Sequence, residues 1–182
     1  MSVDLYNEQA VIKGCQQGNR RFQEIMYRRF APKMYGICQS YAGERALAQD
    51  MLQESFIKIF RSIDTFKGEG SLEGWIRRVV VRTAIDHLRQ KQSIERVAHE
   101  EGSIKPQSVD NSALPNLQLN EVLSFVERLP EGARVVFNLF AVEGYTHKEI
   151  AEHLHITEGT SKSQYNRARV LLMDWIGKQN AR

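Results

Sequence analysis

Only two cysteines, Cys15 and Cys38, occur in the 182 residues. They form neither a spaced metal-binding motif nor a disulfide framework, so both read as reduced, packed thiols. Long apolar runs are missing too. Although 42% of the residues are hydrophobic, no stretch approaches the roughly 20 apolar residues that a membrane-spanning helix needs. The opening MSVDLYNEQAVIKGC has no basic segment followed by an apolar one, so no secretory signal is visible and a cytoplasmic location is expected. Excess charge is also scarce. A net +3 is too mild to mark a nucleic-acid binder by itself, which makes the distribution more informative than the total. Residues 61–92 carry 7 basic against 4 acidic side chains, whereas 116–182 balance at 8 against 8.

What is present is helical periodicity, interrupted once. Between Ser93 and Pro115 the chain reads SIERVAHEEGSIKPQSVDNSALP, where Ser, Pro, Asn and Asp accumulate and the periodicity fades, as in a linker. The run Val79-Val80-Val81 is the one local temptation toward a strand, and it sits inside a longer helical pattern. The expected fold is all-α: two small helical domains, 1–92 and 116–182, joined by a flexible tether at 93–115.

The segment GYTHKEIAEHLHITEGTSKSQYNRARVLL, Gly144 to Leu172, holds two helix starts eleven positions apart. Thr146 with Glu149 three residues later is a capping box, followed by a helix over about His147 to Leu154 with Ile150, Ala151 and Leu154 on its apolar stripe. Thr157 is a second N-cap, with Glu158 placed favourably against the helix dipole. Two helices set this close are a candidate helix-turn-helix, the alternative being an ordinary helical hairpin with a solvated polar face. On the second helix Ser161, Tyr165, Ala168, Leu171 and Leu172 gather on one side. Lys162, Ser163, Asn166, Arg167 and Arg169 gather on the other, where their donors suit guanine, adenine and phosphate.

Upstream, WIRRVVVRTAIDHLRQ, Trp75 to Gln90, places Ile76, Val80, Ala84 and Leu88 on a buried stripe. Arg78, Arg82 and Arg89 fall within about 40° of one another on a different face. The preceding FKGEGSLEG is a glycine-rich loop through which backbone can approach a ligand closely. Cations tracking phosphates beside a loop able to receive an unstacked base suit single-stranded DNA. Trp75 itself reads as a core aromatic. In DMLQESFIKIFRSID, Asp50 to Asp64, the residues Met51, Leu52, Phe56, Ile59, Phe60 and Ile63 share an apolar side. Asp50, Gln53 and Glu54 form a polar edge with no nucleophile, His partner or phosphate loop nearby, which points to protein binding rather than catalysis.

The residues Asp50-x-x-Gln53-Glu54-x-Phe56, Phe66-Lys67-Gly68, Trp75-Ile76-Arg77-Arg78 and Asp86-x-Leu88-Arg89 resemble the first domain of the extracytoplasmic-function (ECF) sigma factors of bacteria. Leu129-Pro130, Val135-Val136-Phe137, Glu143-Gly144-Tyr145, Glu149-Ile150-Ala151 and Glu158-Gly159-Thr160-x-Lys162-Ser163 resemble the second. The resemblance implies a sigma region 2 domain over 1–92 and a sigma region 4 domain over 116–182. It implies that Asp50, Gln53 and Glu54 dock on the clamp helices of the largest polymerase subunit, and that the second domain meets the flap of the second-largest. Lys67, Arg77, Arg78, Arg82 and Arg89 would melt and hold the minus-ten element. Lys162, Ser163, Asn166, Arg167 and Arg169 would face the minus-thirty-five element. No catalytic residue, metal or cofactor is implied. The tether would let an anti-sigma factor clamp the two domains together. Two positions depart from the family pattern: Arg82 stands where Asn is frequent, and Ser161 where an aliphatic residue is usual.

Two other readings explain less. A helix-turn-helix repressor or activator accounts for Gly144–Leu172 but leaves Trp75–Gln90 and Asp50–Glu54 without a task. A metal site from His147, His153, His155 and Glu149 matches no zinc spacing and coincides with the first helix of the hairpin.

Overall fold

The computed structural model describes residues 7–96 and 124–180. Among these residues every regular element is helical. The chain divides into two compact units, Met1–His87 and Leu88–Arg182.

In the first unit, α1 spans Glu8–Gln16, α2 Arg20–Ala42 and α3 Arg45–Ser62. A single 3-10 turn at Ile63–Thr65 precedes α4, Leu72–Arg96. Short polar residues start the first two helices: Asn7 Oδ1 accepts from the Ala10 N–H at 2.8 Å, and Asn19 Oδ1 from the Arg21 N–H at 3.0 Å. Gly43, at φ 74°, ends α2 in the left-handed conformation that glycine takes without strain. The core is a set of helical stripes. Met26, Met34 and Tyr41 from α2, Met51, Phe56 and Ile59 from α3, and Ile76, Val80 and Ala84 from α4 are all buried. Those α3 and α4 positions are the ones that the 3.6-residue period puts on one face, and Val79–Val81 is helical as expected.

Cys15 and Cys38 are free and buried. Burial pushes their thiols up to about 11 and about 12 respectively, so neither is a reactive thiolate at neutral pH. Helix α4 continues through Arg96, so the first four positions of the expected tether, 93–96, are helical. The rest of that tether, 97–115, lies outside the described residues.

In the second unit a helical turn at 124–127 leads to α5, Glu131–Phe137, a π-helical turn at Asn138–Val142, α6, His147–Leu154, and α7, Glu158–Asn180. Phe125, Val126, Leu129 and Ala133 pack with Ala168, Leu172 and Ile176 of α7, flanked by Phe137, Leu171 and Trp175. Arg134 is buried in this unit, its Nη1 donating to the Leu129 carbonyl at 3.1 Å and the Glu127 carbonyl at 3.4 Å. Burial therefore satisfies backbone acceptors of the preceding turn, while it holds the guanidinium below its usual range. Among the described residues no helix is long and apolar enough to cross a membrane.

At Gly14, on α1, the Phe22 side chain of α2 comes close against the backbone. A Cβ there would fall 2.2 Å from two ring carbons of Phe22 and 2.8 Å from its Cβ. Gly14→Ala gains about 1 kcal/mol of helix propensity but incurs an overpacking cost of about 1–3 kcal/mol, so the expected net effect is a lower thermal midpoint. A midpoint at or above wild type would mean that Phe22 swings clear without loss.

Candidate nucleic-acid interface

The helix-turn-helix is built by its caps. Thr146 Oγ1 accepts from the Glu149 N–H at 3.2 Å and Glu149 Oε2 accepts from the Thr146 N–H at 2.8 Å, the reciprocal pair expected of the capping box. The Thr146 hydrogen bonds hold the Glu149 carboxyl below the usual range. At the other end His155 takes φ 54° and ψ 43°, a left-handed conformation uncommon outside glycine and asparagine, and ends α6. Two residues later the Thr160 N–H donates to Thr157 Oγ1 at 3.0 Å, opening α7. The turn is therefore only three residues long, from His155 to Thr157.

On α7 the inward face holds Ser161, Ala168 and Leu172, all buried, with Tyr165 and Leu171 half-buried. Lys162 and Arg167 are exposed on the opposite side, and Ser163, Asn166 and Arg169 are half-exposed beside them. Lys162 reaches back to Glu158 at 2.9 Å, and that hydrogen bond keeps the Glu158 carboxyl low. Ser163 donates to the Thr160 carbonyl at 2.9 Å, which leaves its oxygen able to accept.

On α4 the stripe Ile76, Val80, Ala84 and Leu88 is buried, and Arg78 and Arg82, one turn apart, are exposed. Arg77 and Arg89 are half-exposed. Trp75 is half-buried with its ring 5.7 Å from that of Phe66, the packing role expected for it. Before it, Gly68 at φ 79° and Gly70 at φ 83° bend an exposed loop that also carries exposed Lys67. Ser71 Oγ accepts from the Gly74 N–H at 3.1 Å and starts α4.

The polar edge of α3 divides in two. Asp50 and Gln53 are exposed, with Gln53 on the rim of a cleft of about 660 Å³ lined by Tyr27, Tyr35, Gln39 and Arg45. Glu54, half-exposed, is engaged within the helix pair. Its Oε1 lies 2.8 Å from Lys58 Nζ and its Oε2 2.5 Å from His87 Nε2, while Lys58 also reaches Asp86 at 3.2 Å. Four polar side chains thus tie α3 to α4. The Lys58 hydrogen bond is the main reason that the Glu54 carboxyl stays below its ordinary range, against some burial and with help from His87. Partial burial opposes the charge on Lys58, but its hydrogen bonds to Glu54 and Asp86 outweigh that and raise it. Glu54 and Lys58 are an i, i+4 pair visible in sequence; the partner role of His87 has no local signal, because it depends on how α3 and α4 pack.

Helices whose cationic faces are exposed over buried stripes, one of them in a helix-turn-helix, suit DNA binding. The family described as Sigma-70 region 2 matches residues 26–94, and that described as Sigma-70, region 4, matches residues 119–172. The chain is 27% identical over 180 residues to the ECF RNA polymerase sigma-E factor of Haemophilus influenzae, covering 93% of this chain and 95% of that one. It is 25% identical over 173 residues to the RNA polymerase sigma-H factor of Pseudomonas aeruginosa, covering 89% and 90%. A solved structure, the sigma factor RpoE in complex with the anti-sigma factor NepR from Bartonella quintana, is similar at 19% identity over 85% of this chain and 96% of that one, with a TM-score of 0.47. The chain belongs to the ECF family of RNA polymerase sigma factors. Its work is promoter recognition and the initiation of transcription with RNA polymerase.

Because the folded Glu54 carboxyl is held low, its contribution to stability is present above the ordinary carboxylate value of 4.5 and is lost as the pH falls through the folded value. The side chain is 42% exposed, so solvent screening limits the effect to about 1 kcal/mol or less. Glu54→Gln should lower the thermal midpoint slightly at pH 7 and converge with wild type in acid, whereas Gln53→Ala should leave the midpoint unchanged at both. A gap between wild type and Glu54→Gln that persists undiminished in acid would remove the ion pairs as its cause.

Proposed function

We propose that residues 1–92 dock on core polymerase and open the minus-ten element, that 93–115 tether the domains, and that 116–182 read the minus-thirty-five element, in the cytoplasm, without catalysis or cofactor. The observation that carries this reading is the pairing of two exposed cationic helix faces, Arg78 and Arg82 on α4 and Lys162 and Arg167 on α7, each set over a buried apolar stripe. Arginines one turn apart can neutralise successive phosphates of a displaced strand. Lys67 on its glycine loop, Arg77 and Arg89 extend that cationic track. On α7, Lys162, Ser163, Asn166 and Arg167 lie in the first three turns, where recognition helices meet base edges or the phosphates beside them, while Arg169, further along, serves the backbone.

Exposed Asp50 and Gln53, the latter lining the cleft, are the docking edge for the clamp helices of the largest subunit; Glu54 acts there through the ion pairs that hold α3 to α4. The second domain meets the flap of the second-largest subunit. An anti-sigma factor covering either DNA-facing surface would silence the protein, and the long segment between the two family matches leaves room for such control.

Run-off transcription with core polymerase on genomic fragments tests the whole reading: defined start sites should appear only when the protein is added. The double substitution of Arg78 and Arg82 by Ala should reduce transcription from a duplex promoter more than from one with a pre-melted bubble, and flatten the salt dependence of binding by about 1 per residue. Equal losses on both templates would assign the arginines a general structural role. On the upstream side Asn166→Ala should cost about 1–3 kcal/mol at one base position of the minus-thirty-five element and relax preference there. Arg169→Ala should weaken all sequences alike. An unchanged ranking of minus-thirty-five variants with Asn166→Ala would make Asn166 a solvated residue only.

A further inference from the structure

Ser161 is completely buried on the inward face of α7, surrounded in its row by Tyr165, Ala168 and Leu172. Elsewhere in the chain the buried or half-buried hydroxyls of Ser55, Ser62 and Thr83 donate to the carbonyl four residues back on their own helix, the usual way for such a group to be satisfied inside a helix. Ser161 does otherwise. Its Oγ lies 2.9 Å from Nδ1 of His147, the first residue of α6. The His147 ring in turn stacks on Phe140 of the π-helical turn, with centroids 4.3 Å apart and planes at 13°, and meets Tyr165 of α7 edge-on at 5.8 Å. Phe140 and Tyr165 close the set at 4.6 Å. One hydroxyl and three rings therefore fasten the start of α6, the π-helical turn and the first two turns of α7.

We propose that His147 is a positioning residue for promoter readout: its hydrogen bond to Ser161 fixes the rotation of α7 about its own axis, and with it the direction in which Lys162, Ser163 and Asn166 meet the DNA. The proposal rests on α7 being the recognition helix. Apolar packing between two helices is non-directional and tolerates small rotations, whereas a buried hydrogen bond is lost when its geometry slips and leaves a polar group unsatisfied. A helix is about 10–12 Å across with its side chains, so a rotation of about 20° swings a side-chain tip by about 2 Å. That displacement exceeds what a base-edge hydrogen bond survives. Ser161 sits immediately before Lys162 and Ser163, so little lies between the fastening and the contacts it sets. His147 also feels the charges of Lys162 and Glu158; burial and Lys162 together hold its imidazole below the usual range, which keeps the ring neutral at pH 7 and able to pair with a hydroxyl rather than repel the recognition helix's own cation.

The test uses the full-length protein with core polymerase and a panel of promoters differing only in the minus-thirty-five element. His147→Phe keeps a ring for Phe140 and Tyr165 but removes the bond; Ser161→Ala removes it from the other side; His147→Asn restores a polar group near the Nδ1 position. The two bond-breaking variants and their double should each reorder the promoter panel by about fivefold or more at one or more positions, the low end of what one bidentate base contact contributes. The double should do no more than either single. His147→Asn should keep the wild-type order, and core affinity should be unchanged throughout. If the panel order stays within about twofold of wild type for both singles, or if the two effects add independently, the positioning role is wrong. Should His147→Phe fail to fold, Ser161→Ala, which deletes a single oxygen, decides alone. A wild-type protein indifferent to the minus-thirty-five element would overturn the recognition-helix assignment instead, and this inference with it.

Discussion

An α-helix that must bury one stripe has its remaining face assigned by default, and this constraint organises both units. On α4, sinking Ile76, Val80 and Ala84 into the core leaves Arg78 and Arg82 exposed. On α7, burying Ser161, Ala168 and Leu172 leaves Lys162 and Arg167 exposed. The cationic faces are thus kept on the outside by the same hydrophobic packing that stabilises the fold. Rotating either helix to expose its arginines differently would draw apolar area out of the core, at about 25 cal/mol for each Å² exposed.

Because the constraint is periodic, it is legible in sequence. The apolar rows of α3 and α4, the helix over His147–Leu154 and its reciprocal Thr146–Glu149 cap, and the second start at Thr157 all depend on residues within one or two turns of each other, and all are present. The packed role of Trp75 against Phe66 was likewise open to a local argument from size and hydrophobicity. Helix ends were less legible. α4 runs through Arg96 because Glu95 and its neighbours carry no breaker, although their composition reads as linker.

Contacts between helices could not be read in the same way. By spacing Glu54 shares a polar edge with Asp50 and Gln53, and the approach of α4 also puts His87 and Asp86 within reach of the Glu54–Lys58 pair. The family signature carries Glu54 but offers no reason to expect that its carboxylate is engaged within the chain. The sequence marks Ser161 as an inward-facing departure from an aliphatic pattern; that its hydroxyl meets His147 depends on the three-residue turn and on the left-handed His155 that opens it. Polar pairs of this kind have no period, and only the tertiary fold selects them.

The modest net charge follows from the same division. Phosphate contacts supply affinity without sequence information, and a genome offers a vast excess of wrong phosphates, so a strongly basic surface would be held mostly at non-specific sites. Acidic residues such as Asp50 and Glu54 on α3 and Glu158 at the start of α7 offset the arginines and lysines, while the cations remain gathered on two helix faces. Discrimination must then come from directional donors and acceptors. On α7 these are the neutral Ser163 and Asn166, set between Lys162 and Arg167. A charge tolerates misplacement of an ångström because Coulomb attraction falls off gradually; a base-edge hydrogen bond does not. The part of the fold that holds α7 in register is therefore where precision is needed, and it is there that the buried Ser161 and the half-buried His147 lie.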